Sequence, residues 1–431
     1  MILVKSVFQN IFKREYAVFI RRNSSSAFLS DDAIDWDYYS NPSNFVEIAS
    51  NMMERKVQVD LRDVLGQLHE LKDAQNDPAL YKALKDSLTP KLIWFPNRTH
   101  PKAKGNKSTE PLVIEKVGKK EVFSYFPSTF HTLTKRLNLL RTKHLGHMSG
   151  HKSYFLKHDL ASLEQALVKF ALSKLKKKGF EIFSVPDIVP KSFLENCGMR
   201  TENKHSQVFH IDSSWAPDLC LSGTSEMALA SYFSKVTIDF SEYPLKMCAA
   251  SRCFRAEAKR SQKEKGIFRV HQFTKVEMFG ITSNETGEES EALFEEFISI
   301  QKEMYTELGL HFQILEMPPS ELGLPAYRKI DMEAWIPTLK SYGEISSASN
   351  CTDYQSRRIG LKYNSPSGQL RFCHTLNATA CAIPRLLIAI LENFQNLDGS
   401  VRIPIPLQKY MKKDVIRDKF EEKMICMKPT M

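Results

Sequence analysis

Residues Cys253–Phe279, CFRAEAKRSQKEKGIFRVHQFTKVEMF, hold the most informative cluster of chemically able side chains in the chain. Two β-type runs flank a charged loop that ends at Gly266. Side chains two apart on a strand share a face. Arg255 and Glu257 therefore share a face of the first run, and Arg269, His271, Phe273, Lys275 and Glu277 share a face of the second. Phe268, Val270, Val276 and Met278 take mostly apolar positions on the other side. A solvated hairpin face would explain the charges alone. It does not explain an aromatic ring set among cations and carboxylates. That mixture suits a ligand that is anionic, planar and aminated at once, such as a nucleotide beside an amino acid.

Such a hairpin needs a sheet behind it. From Leu219 to Gln395 strands and helices interleave, with hairpins that favour antiparallel pairing, so the expected fold is α+β and not doubly wound. Neither G-x-G-x-x-G after a strand nor G-x-x-x-x-G-K-[ST] is present, which excludes the two common phosphate-binding loops. Upstream, Leu160–Lys178 reads as a strongly amphipathic helix whose closing lysines, Lys176–Lys178, complement its dipole and which Gly179 stops. FEIFSVPDIVP follows as a strand broken by Pro186, which suggests an edge or an interface. Phe130–Met148 reads as a helix with a basic face. Before these, Val57, Leu61, Val64, Leu65, Leu68 and Leu71 form one apolar stripe, Asn76-Asp77-Pro78 breaks it, and Leu80–Leu92 resumes it. This is a short antiparallel helical hairpin. The expected organisation is a leader over 1–30, the helical hairpin within 31–94, a linker over 95–120 and the main α+β domain over 121–431.

The chain has 431 residues and a formal charge of +10, with a pI near 9.0, a balance that fits a nucleic-acid partner. No apolar run approaches the roughly 20 residues of a membrane span. Residues 1–30 carry Lys5, Lys13, Arg14, Arg21 and Arg22 against the single acid Glu15, with Val4, Val7, Phe8, Ile11 and Phe12 at helical spacing and a serine run behind. That is the pattern of a mitochondrial transit peptide. The eight cysteines show no CxxC spacing and no histidine set to complete a zinc site.

Five segments together resemble class II aminoacyl-tRNA synthetases, and more narrowly seryl-tRNA synthetases. Gly179–Pro190 resembles motif 1, the dimer-forming element. Gly223-Thr224-Ser225-Glu226 resembles the Thr-x-Glu loop. Cys253–Phe279 resembles motif 2. Gly343–Asp353, GEISSASNCTD, and His374–Arg385, HTLNATACAIPR, resemble the last two, the latter being motif 3. The NATACA-x-PR wording and Gly323–Trp335 are similar to animal mitochondrial members. The resemblance covers about residues 120 to 410.

It implies an antiparallel class II catalytic domain, ATP and Mg²⁺ as cofactors, L-serine and mitochondrial tRNA(Ser) as substrates, and work in the mitochondrial matrix. It also implies a homodimer, with a heterodimer with a paralogue left open. Arg255, Glu344 and Arg385 are the implied catalytic residues. ATP is expected at Arg255, Ala256, Glu257, Arg269, Phe273, Glu344, Ile345, Ser346, Ser347 and Arg385, with Phe273 on the adenine, Arg269 and Arg385 on the outer phosphates, and Mg²⁺ on Glu344 and Ser347. Serine is expected at Thr224, Ser225, Glu226, Glu277 and Thr379. The helical hairpin is too short for the family's long tRNA-binding arm. A catalytically silent paralogue, working as a structural or RNA-binding partner, is the alternative reading; the retained arginines and glutamates count against it.

Overall fold

The computed structural model describes residues 21–22, 29–30, 32–57, 59–105, 109–202, 206–212, 214, 218–239, 244–257 and 266–418. Most of the expected leader, the basic loop 258–265 and the C-terminal tail lie outside the described residues.

The N-terminal region is helical for reasons visible in its sequence. Three helices, α1 (Phe45–Glu54), α2 (Leu61–Asp73) and α3 (Pro78–Leu92), share a small core that includes Ile48, Met52, Val64, Leu68, Leu71, Leu84, Leu88, Leu92 and Phe95. Asp60 caps α2 by accepting from the Asp63 amide, and Asp77 caps α3 by accepting from the Ala79 and Leu80 amides. Pro78 sits at the first position of α3, where its missing N–H costs nothing. At 13 and 15 residues, the hairpin helices reach only about 20 Å and 23 Å. Val57, expected in the helical stripe, precedes α2, and α1 adds a third helix to the hairpin.

The remainder is built on one eight-stranded sheet. In chain order its strands are β1 (Leu112–Val117), β2 (Glu181–Phe183), β3 (Leu245–Phe254), β4 (Gln272–Thr282), β5 (Phe312–Glu316), β6 (Arg328–Ile336), β7 (Ser341–Thr352) and β8 (His374–Ala382). Across the sheet they run β1-β5-β6-β7-β8-β4-β3-β2. Every pairing is antiparallel except β3 with β2. The α+β expectation, with its antiparallel sheet and preceding helical hairpin, is borne out. The span expected as linker differs: β1 lies inside 95–120 and forms an edge of the main sheet.

Helix α4 (Phe130–Arg136) is shorter than the sequence suggested. Asn138 takes a left-handed backbone with φ 53°, and the Leu139 amide returns to the Thr134 carbonyl, so the chain cannot continue as helix to Met148. Asparagine is one of the few non-glycine residues that tolerate this conformation. Helix α5 (His158–Lys177) ends as expected. Gly179 adopts φ +83°, the Phe180 amide reaches the Leu175 carbonyl and the Gly179 amide the Lys176 carbonyl, which closes the helix in a Schellman turn. With α6 (Ser225–Tyr232), α7 (Glu289–Glu307) and α8 (Ile383–Asn393), the principal helices are complete.

Strand periodicity divides the sheet's two sides. On β4, Val276 and Met278 join Leu376, Ala378 and Ala380 of β8 in a core covered by Leu163, Leu167 and Phe170 of α5, Phe294, Phe297 and Met304 of α7, and Leu386 and Leu387 of α8. The intervening residues Phe279 and Ile281 enter a second core with α6. Lys275 and Glu277 lie between these layers and are 5% and 2% exposed. Glu257, Lys275 and Glu277 of the charged hairpin face are therefore buried, while Arg255, Arg269, His271 and Phe273 are half-buried. Among the described residues, no helix is long and apolar enough to cross a membrane.

The helical region is bolted to the sheet through polar groups. Arg55, the C-cap of α1, is 7% exposed and has no carboxylate partner among the described residues. Its guanidinium donates to the carbonyls of Gly323 (2.6 Å) and Ala326 (3.1 Å), to that of Asn97 and to Thr99 Oγ1. Burial pushes its pKa down to about 10. Asn97 in turn donates to the carbonyls of Pro325 and Cys351. Replacing Arg55 with Leu leaves buried carbonyls without a donor. We expect a loss of about 2–5 kcal/mol in urea denaturation and faster proteolysis within residues 45–92 than in the sheet.

Candidate active site

A cavity of ≈ 290 Å³ opens on the charged side of β4, β7 and β8. Thirteen of the fifteen residues singled out from sequence line it: Thr224, Glu226, Arg255, Glu257, Arg269, Phe273, Glu277, Glu344, Ile345, Ser346, Ser347, Thr379 and Arg385. Ser225 and Ala256 do not. Ser225 is buried in the first turn of α6, its hydroxyl without a partner among the described residues. The Ala256 backbone amide donates to the Gln207 carbonyl, away from the cavity lining.

One end of the cavity is cationic and aromatic. Arg255 lies just past β3, with its Nε 3.3 Å from the Gly223 carbonyl and its guanidinium 5.4 Å from the Phe273 ring centre. A Cβ at Gly223 would sit 3.3 Å from the Phe254 carbonyl oxygen, so glycine there eases the close passage of the two backbones. Arg269 pairs with Glu257 at 3.3 Å. Arg385, at the start of α8, pairs with Glu344 at 2.9 Å and lies 4.8 Å from the Phe268 ring centre. Phe268 thus reaches the cavity while also packing against the main core. The ladder of β4 starts only at Gln272, so strand alternation does not govern Phe268. Burial would raise the Glu344 pKa, but Arg385 and Lys329 together hold it below the usual carboxylate range.

The other end is a small polar chamber. Glu277 sits opposite Thr379 across β4 and β8, at a bulge, and accepts from the Thr379 hydroxyl at 3.1 Å and from Lys275 Nζ at 2.5 Å. Lys275 also donates to Thr224 Oγ1 at 2.8 Å. Thr224 caps α6 through the Glu226 amide, so it serves the helix and the cavity together. Glu226 is 8% exposed. Its Oε1 accepts from Gln355 Nε2 (2.6 Å) and Asn377 Nδ2 (3.0 Å), and Thr375 orients Gln355 from behind. Burial first, then the nearby Glu277 charge, raises the Glu226 pKa to about 7.

Lys275, Lys329, Asn377 and Gln355 received no role from sequence. Lys275 stood on the right face of the hairpin, Lys329 and Asn377 lay inside quoted segments and Gln355 just past one, but only the fold turns them toward Thr224, Glu344 and Glu226. Among the described residues, no three His, Cys, Asp or Glu side chains converge to hold a metal alone. Glu344 and Ser347 on the cavity wall instead offer a carboxylate and a hydroxyl, the sparse donor set that Mg²⁺ takes when substrate oxygens complete its shell.

Glu226 makes stability depend on pH. Its folded pKa lies above the unfolded carboxylate value of about 4.3, so between about 4.3 and 7 the folded chain holds the extra proton. Stability contributed by this group is therefore greatest at low pH and falls as pH rises through that window. Glu226→Gln keeps an acceptor for Gln355 and Asn377, and should flatten this part of the urea-midpoint profile.

Residues 209–394 match the tRNA synthetase class II core domain (G, H, P, S and T). The mitochondrial serine–tRNA ligase of Mus musculus is 46% identical over 333 residues, which covers 77% of this chain and 64% of that relative. The serine–tRNA ligase of Treponema denticola is 39% identical over 368 residues, 84% of this chain and 86% of the relative. The crystal structure of seryl-tRNA synthetase from Pyrococcus horikoshii complexed with ATP superposes with a TM-score of 0.73 at 30% identity, covering 87% of this chain and 88% of that one. The cavity's two ends lie within the segments that carry this likeness, and the chain belongs to the serine–tRNA ligase family of class II aminoacyl-tRNA synthetases.

Proposed function

We propose that this chain activates L-serine with ATP and transfers it to mitochondrial tRNA(Ser), acting as a homodimer in the mitochondrial matrix. The observation that carries this reading is the pairing of a cationic, aromatic cavity end with a buried carboxylate–hydroxyl chamber. The first suits ATP and the second a small hydroxylated amino acid. The relatives that bear a mitochondrial name are matched over less than two thirds of their length; they and the basic leader support the location.

In this reading the serine ammonium rests against Glu226 and Thr224, and its hydroxyl against Glu277 and Thr379. A chamber that hydrogen-bonds the hydroxyl rejects alanine, because Glu277 and Thr379 would lose a partner. Adenine stacks on Phe273, with Glu257 near its amino edge, and Arg269 and Arg385 hold the outer phosphates. Arg255 brings the serine carboxylate and the α-phosphate together; its planar fork can bond two oxygens at once. The carboxylate oxygen forms a bond to the α-phosphorus as the bond to pyrophosphate breaks. No protein nucleophile is required, so the chain contributes position and charge. Mg²⁺ held at Glu344 and Ser347 would neutralise phosphate charge. The adenylate then passes its seryl group to a terminal ribose hydroxyl of the tRNA. The basic loop Lys259–Lys265, whose cations suit the phosphates of that end, lies outside the described residues.

No observation among the described residues favours the silent-paralogue alternative. Serine-dependent exchange of pyrophosphate into ATP tests the reading directly. Exchange by the folded protein is expected with serine and not with alanine, and its absence would sink the enzyme reading. Arg255→Ala should lower the exchange rate by about 10²-fold or more, with unchanged thermal unfolding.

A further inference from the structure

The sheet beside Glu344 and Ser347 carries a second row of charge that activation, as derived above, leaves unused. On β6, Lys329, Asp331 and Glu333 alternate and so share a face. The register sets Asp331 opposite Ser347 and Glu333 opposite Glu344, and directly opposed residues project to the same side. Lys329 also lines the cavity.

Asp331 is 5% exposed. Its Oδ2 is held by Lys329 Nζ at 2.7 Å. Its Oδ1 is buried with no hydrogen-bond partner among the described residues. Glu333 differs, because Gln313 Nε2 donates to it at 2.8 Å. A buried carboxylate oxygen without a donor is costly unless something that binds the site supplies one. Asp331, Glu333 and Glu344 share this face, and of the cations beside it Arg385 is already drawn to Glu344.

We propose that Asp331 is a positioning residue for the divalent cation that accompanies ATP, set one row behind Glu344 and Ser347, with Lys329 fixing its orientation. Mg²⁺ sheds water reluctantly and keeps several waters when bound, and acceptors behind the direct ligands orient that shell. The partnerless Oδ1 is such an acceptor. This rests on the placement of the ion at Glu344 and Ser347.

The test uses the full chain, a non-hydrolysable ATP analogue, and Mn²⁺ as a paramagnetic stand-in for Mg²⁺. Mn²⁺ affinity in the ternary complex is read by electron paramagnetic resonance, and analogue affinity in chelator by calorimetry. Asp331→Asn should weaken Mn²⁺ binding about tenfold or more and leave analogue affinity in chelator unchanged. Wild-type Mn²⁺ affinity in Asp331→Asn, with a loss in Glu344→Gln, overturns the role of Asp331 while leaving the ion at Glu344. Equal losses of analogue affinity with and without metal overturn it too, because they mark a packing role. If Glu344→Gln also binds Mn²⁺ normally, the ion's placement fails and the Asp331 proposal falls with it. Thermal unfolding checks each variant. Should the amide not fold, Asp331→Ser, which keeps a hydroxyl for Lys329, carries the same expectations.

Discussion

The structure depends on keeping two carboxylates, Glu226 and Glu277, inside a protein core. Each is less than one-tenth exposed, and their mutual repulsion contributes to the raised Glu226 pKa. Isolated buried charges of this kind are prohibitive. They persist here because Lys275 bridges Glu277 and Thr224, and because Gln355 and Asn377 both donate to Glu226. These partners come from α6, β4, β8 and the segment after β7. The chamber therefore exists only when those four are assembled, and it couples site formation to folding of the central sheet.

The antiparallel sheet makes that assembly cheap in sequence terms. One set of alternating positions packs beneath α5, α7 and α8, and the other set lines the cavity. The bulge between Val276 and Glu277 in the β4–β8 ladder shifts the pairing so that Glu277 meets Thr379. A second irregularity, between Met332 and Glu333 in the β6–β7 ladder, brings Glu333 opposite Glu344. Bulges re-aim side chains beside functional sites without dismantling the ladder. The peripheral helices use a different device. Arg55 and Asn97 fix them to backbone carbonyls around Gly323–Ala326 and Cys351, so the attachment runs through polar groups instead of a continuous apolar seam.

Local chemistry made much of this legible in advance. Asp77-Pro78 marks a helix break and restart, Gly179 marks a helix end, and the period of two along β4 separates the core side from the cavity side. Thirteen of the fifteen proposed site residues line one cavity, because the segments that carry them each present a strand face or a helix start to the same space. Local pattern failed where a single backbone angle decided the outcome. A helix pattern over Phe130–Met148 carries no sign that Asn138 will turn left-handed. Strand alternation also gave only half the surroundings of Phe268, which lies before the ladder begins and touches both the core and the cavity.

The sequence by itself determined which residue types were available for chemistry, their face on each strand, and the family whose wording they share. Those properties are local: propensity, capping and periodicity act over a few residues. Tertiary structure decided the rest, because burial and partnership are relations between distant segments. It buried Lys275 and Glu277 of the hairpin's charged face, gave Lys275 and Gln355 their partners, raised the Glu226 pKa, and left one oxygen of Asp331 without a donor among the described residues beside Glu344. No local pattern encodes a desolvation cost, since that cost depends on what the completed fold places around each group.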